Sequence, residues 1–172
     1  MLNGMADTIF YPRRLHPGDI VRTEDRRKFY RVYSVSKDFV VLENDEENHQ
    51  RYFFSVYPIK LQDTKAMEAL GIEVCKEWND IHKRFLRKYK IGRGDFIVTM
   101  REMEMGYFRI EIKDMAHYQV IEQNVVRYYF HEVQQYFFEK TATELFIELP
   151  DKTDFDMEYV HFWDEEGQEV LV

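Results

Sequence analysis

Residues 128–145 read YYFHEVQQYFFEKTATEL. The stretch opens like a metalloprotease helix, His131-Glu132, and then places Gln135 where a zinc-binding helix needs its second histidine. Such a helix sets two imidazoles four residues apart so that both meet one metal, with the glutamate between them as base. Glutamine is a poor zinc ligand, and neither Gln134 nor Gln135 supplies a ring nitrogen. The apolar positions tell a different story. Val126, Tyr129, Phe130, Val133, Tyr136 and Phe137 recur at helical spacing, which predicts a packing helix over residues 124–140 with Asn124 as its cap and Lys140 near its C-terminal dipole. His131 then fills a helix–sheet boundary.

Outward from this helix the chain reads as sheet. Aromatic residues make up 16% of 172 residues, too many for disorder and typical of strands and their packing partners. Pro17-Gly18-Asp19 signals a turn, Ile20 and Val21 start a strand, and KFYRVYSVS, FVVLEN and QRYFFSVYPIKL complete a meander. Strands this short and this close predict a small β-barrel over residues 15–62, after a flexible arm over residues 1–14. Asp63 or Thr64 caps a short helix that Gly71 ends. GYFRIEIKD alternates cleanly, with Phe108, Ile110 and Ile112 dry and Arg109, Glu111 and Lys113 wet.

Residues 75–91 carry two periods at once. Cys75, Trp78, Ile81, His82, Phe85, Leu86 and Tyr89 fit a helix, whereas KRFLRKYKIGRGDFIVTM fits two strands joined across residues 92–95. The expectation is a helical turn near Trp78 to His82, then a hairpin. ELFIELP predicts a strand stopped by Pro150, and the last residues, 150–172, predict a terminal hairpin turning at Glu165-Glu166-Gly167. The fold class is therefore α+β: a small N-terminal β-barrel, then an α+β module over residues 63–149 in which an antiparallel sheet packs on one main helix.

Charge is unevenly spread. Residues 1–95 hold 18 Lys and Arg against 15 Asp and Glu, a balance of +3, and residues 96–172 hold 6 against 17, a balance of −11. Phosphate backbones are repelled by the second part, so a nucleic-acid role would rest on the first. There the cations interleave with aromatics: RRKFYRVY supplies Arg26, Arg27, Lys28 and Arg31, and KRFLRKYK supplies Lys83, Arg84, Arg87, Lys88 and Lys90. Such side chains can track phosphates and stack bases. They also form the wet side of an ordinary sheet, covering aromatic surface with their stems.

Other chemistry is thin. His16, His49, His82, His117 and His161 are dispersed, Cys75 is the only cysteine, and no serine lies in a nucleophile elbow. A lone cysteine near an apolar segment is expected to be buried and inert. The seven glycines form neither a phosphate loop nor a dinucleotide fingerprint. Glu102 with Glu104, and Asp154 with Asp156, are the notable acidic pairs, and Arg93-Gly94-Asp95 reads as a turn. The expectation is a non-enzyme without cofactor or metal. The start of the chain lacks the basic and apolar run of a signal peptide, and no segment has the length of a membrane helix, which together predict a cytoplasmic protein.

The signature in residues 128–145 is similar to YVHeLQnlyFaLTGeEL, found in small uncharacterised proteins of bacterial and prophage type. The correspondence falls on Tyr129, His131, Glu132, Gln134, Phe137, Thr141, Thr143, Glu144 and Leu145. GDIVRT, FYRVYSVSKDFVVLEN and RYFFSVYPIKL, followed by MEALGIEV, resemble the short barrel and helix of the same group. The match spans most of residues 17–149. Phe130 stands for valine, Val133 for leucine, and Ala142 and Thr143 interrupt a Leu-Thr-Gly turn. The strand rhythm of the barrel also resembles the Tudor and KOW class. The resemblance implies a packing role for the His-Glu helix and no reaction. The resulting expectation is an interaction module for a protein partner or a second copy of itself, with nucleic acid as the alternative.

Overall fold

The computed structural model describes residues 14–22, 29–44, 47–53, 56–103, 106–149, 162–163 and 169–170. It is an α+β protein whose described strands form antiparallel sheets. They divide into two compact units, one spanning Lys60–Ile147 and the other taking the described residues before and after it.

The first unit contains a four-stranded sheet in chain order: β1 (Ile20–Arg22), β2 (Phe29–Val35), β3 (Val40–Asn44) and β4 (Glu47–Phe53). The Pro17-Gly18 turn forms as read, Gly18 taking φ 98° and the Asp19 amide donating to the His16 carbonyl at 3.0 Å. On β2 the pairing runs Val32↔Leu42 and then Ser34↔Val41, so Tyr33 is an extra residue. This bulge breaks simple alternation: Phe29, Tyr30, Arg31 and Val32 are all buried while Tyr33 is exposed. Leu15, Val21, Tyr30, Val32, Val40, Leu42 and Val56 form the core, with Phe53 packed against it.

No closed barrel is found among the described residues. Among the described residues one rung continues the sheet beyond β1, in which the Arg22 and Tyr57 amides donate to each other's carbonyls at 2.9 and 2.7 Å.

In the second unit α1 (Thr64–Ala69) begins where Asp63 accepts the Ala66 amide at 3.1 Å and is followed by Gly71 at φ 78°. Five strands then pair each with the next: β5 (Glu73–Asn79), β6 (Arg84–Arg93), β7 (Phe96–Glu102), β8 (Phe108–Asp114) and β9 (Gln119–Arg127). The helical turn expected near Trp78 is a strand end instead. β5 and β6 pair in continuous register from Glu73↔Lys90 to Asn79↔Arg84, and the turn between them is closed by the Asn79 side chain accepting the His82 amide. Pairing with β6 gives the inward-facing backbone groups of this segment partners along its whole length, which a single exposed helical turn cannot do.

The main helix, α2 (Phe130–Thr141), is shorter than the expected 124–140. Val125 and Arg127 pair with Ile110 and Phe108, so the residues before Tyr128 belong to β9, and Asn124 is no cap. The start is set by Glu132, whose carboxylate accepts the amides of Tyr128 and Tyr129 at 3.2 and 2.9 Å. Phe130, Val133, Tyr136 and Phe137 are buried as the stripe requires, whereas Val126 is exposed.

Residues 144–149 keep a period-two burial, with Leu145, Ile147 and Leu149 inside, yet they are not among the strands of the sheets, so the strand expected there is only an extended segment. β10 (Phe162–Trp163) and β11 (Glu169–Val170) pair antiparallel, and the turn expected at Glu165-Glu166-Gly167 lies outside the described residues. Most of the expected arm lies outside them as well.

Candidate interaction cleft

Antiparallel partners share a face, so register sorts the five-stranded sheet into two sides. One side is covered: Tyr89, Val98, Met100, Phe108, Ile110 and Ile112 are all completely buried. Tyr89 stacks on Phe108 at 5.0 Å, and Phe96 meets Phe137 of α2 edge-on at 5.6 Å. The other side carries Glu77, Leu86, Arg101, Arg109 and Val126, one from each strand, and these residues line a cleft of about 580 Å³.

Exposed apolar side chains rim the cleft. Trp78 and Ile81 come from the β5–β6 hairpin, Met103 and Tyr107 from the β7–β8 connection, and Val126 from the edge strand β9. Ile81 is 86% exposed. Phe85, also exposed, is paired across the strands with Trp78, ring centroids 5.2 Å apart. The Trp78 indole donates to Asp80 at 2.8 Å, which orients the ring at the hairpin tip.

The charged floor is a network. Glu77 bridges Lys88 at 3.2 Å and Arg101 at 3.4 Å, and Arg101 and Lys113 both reach Glu111 at 3.5 Å. Burial pushes the Glu77 carboxyl up, but Lys88 and Arg101 outweigh it and hold it below its ordinary value. At one wall Arg87 grips Glu102 with both ends of its fork, and its backbone amide donates to the same carboxylate at 2.8 Å. Partial burial raises Glu102, and the hydrogen bonds from Arg87 more than reverse this, so Glu102 titrates low. Arg109 faces Arg101 across β7 and β8 and makes no ion pair among the described residues.

Of the nine cations read from the sequence, six are among the described residues. Arg26, Arg27 and Lys28 lie outside the described residues, and Arg31 is buried on β2. In the second unit Arg87 and Lys88 are engaged by Glu102 and Glu77, leaving Lys83 in the hairpin turn and Arg84 and Lys90 exposed on β6. Cys75 is exposed on the edge strand rather than buried, its thiol 3.4 Å from the Lys88 carbonyl. His131 is buried and stacked beside Tyr129 at 5.7 Å. Among the described residues no three His, Cys, Asp or Glu side chains are grouped to hold a metal ion, and no helix is long and apolar enough to cross a membrane. Glu104, Asp154 and Asp156 of the acidic pairs are not described.

No protein-family model, no curated protein and no solved structure matches this chain. The resemblance in residues 128–145 therefore brings no activity with it, and function is argued from the cleft. Sequence reasoning missed Glu77, Arg101 and the role of Arg109. Only the alternation of β8, with Arg109 on its wet side, pointed this way.

Proposed function

We propose that the protein is a non-enzymatic, cytoplasmic interaction module that binds a protein partner through the open face of its five-stranded sheet. The observation that carries this reading is the collection of large exposed apolar side chains, Trp78, Ile81, Met103, Tyr107 and Val126, around one cleft. Contiguous apolar surface rimmed by charge marks protein docking sites, and Trp and Tyr are the residues that dominate their energetics. Nucleic acid is the weaker reading because Glu77 and Glu111 interrupt the cations of that face and pair with Lys88, Arg101 and Lys113.

In the other unit, the order β1-β2-β3-β4 with Tyr57 bridged to Arg22 supports a small Tudor- or KOW-like barrel, on which Tyr33 is exposed as a further contact.

A photo-crosslinking residue placed at position 81 in living cells tests the docking face, with position 118 as the control. Tyr118 is 90% exposed but lies in the turn at the opposite end of the sheet. A protein adduct formed at 81 and absent at 118 is the expected result. Equal labelling at both positions, or salt-sensitive retention of DNA or RNA by the purified chain, would sink the reading.

A further inference from the structure

We propose that the cleft takes an extended acidic peptide segment of the partner, with one carboxylate seated on Arg109. This rests on the docking reading above and specifies its chemistry. Arg101 and Arg109 are direct cross-strand partners, an arrangement that like charges disfavour. Arg101 is relieved by Glu77 at 3.4 Å and Glu111 at 3.5 Å. Arg109 is not: its partner on the other side is Val126, and no anion among the described residues pairs with it. The two acids lining the cleft, Glu77 and Glu102, are both committed to cations. What the floor presents to a ligand is therefore one uncommitted guanidinium, whose planar fork matches a carboxylate.

The surroundings choose the rest of the ligand. Val126 faces Arg109 across β8 and β9, and Trp78, Ile81, Met103 and Tyr107 are the other exposed apolar side chains of the lining, so the groups accompanying the carboxylate must be apolar. One free cation suits one anion, whereas a phosphodiester tract needs a row of them. β9 is an edge strand of the sheet and pairs directly with β8, with Val126 exposed opposite Arg109, and an extended segment laid beside it delivers alternate side chains towards Arg109.

The test uses the full chain and fluorescein-labelled octapeptide pools with a central Glu, against matched pools with a central Gln, both flanked by Phe, Leu, Val, Tyr, Ser and Gly. Fluorescence anisotropy at low and physiological salt is expected to show the Glu pools binding about tenfold tighter. Arg109→Ala should erase that preference, Arg109→Lys should restore part of it, and Ile81→Ser should weaken both pools. Arg109 is exposed, and circular dichroism of each variant reports its folding. Equal binding of both pools, still weakened by Ile81→Ser, overturns the carboxylate anchor and leaves the docking face standing. If neither pool binds while the crosslink at position 81 persists, the acidic-peptide proposal falls and the docking reading survives. Nucleic-acid retention lost in Arg109→Ala overturns both.

Discussion

Arg87 and Glu102, fifteen residues apart, are locked together at 2.6 Å, and the same guanidinium reaches back to the Gln62 carbonyl and, at 2.9 Å, to the Thr64 hydroxyl. One ion pair thus ties β6 and β7 to the start of α1. Partly buried charge pairs are costly to break because the remaining charge has no partner. Glu102→Ala should cost about 2 kcal/mol in urea unfolding, and Arg87→Ala with Glu102→Ala together should cost less than the two separately.

The pH dependence of this pair has a definite sign. Glu102 is held below its ordinary value in the folded chain. Its contribution is therefore complete above the unfolded glutamate value of about 4.3 and fades as pH falls through the lower folded value. Stability measured as a function of pH should show the native chain and Glu102→Gln converging on acidification. A constant gap across that range would contradict the assignment.

Glu132 belongs to the helix cap in this structure, accepting the amides of Tyr128 and Tyr129. Glu132→Ala should lower stability by about 1 kcal/mol, and Glu132→Gln, which still accepts hydrogen bonds, by less. Thermal unfolding in the presence and absence of a chelator provides the comparison, with the same ordering of variants expected in both.

Two neighbours on α2 separate packing from surface. Phe137 is fully buried and touches Phe96, whereas Phe138 is 57% exposed. Phe137→Ala should cost about 3–5 kcal/mol, and Phe138→Ala within about 0.5 kcal/mol of nothing, as read from denaturant midpoints. Equal effects would mean that the face of the helix has been misassigned.

Ala142 ends α2 in the left-handed region, φ 55°, with its amide donating to the Phe138 carbonyl at 2.8 Å. Glycine adopts this conformation without a Cβ penalty. Ala142→Gly should raise stability by about 0.5–1 kcal/mol, checked by calorimetry.

Local pattern alone determined much of this protein. The Pro17-Gly18 turn, the helix between Asp63 and Gly71, the wet and dry sides of β8 and the stripe from Phe130 to Phe137 are each read within one element, where the period of burial equals the period of the backbone. Tertiary structure decided what depends on partners distant in sequence. Val126 fits the helical stripe, but its neighbour Val125 has Ile110 to pair with, and the ladder claims both for β9. Trp78 and Phe85 fit a helix until β5 and β6 come into register and set them opposite each other. The cleft is the extreme case, because Glu77, Leu86, Arg101, Arg109 and Val126 share a surface only through four successive strand pairings. Strand register is a non-local choice, and no period along the chain encodes it.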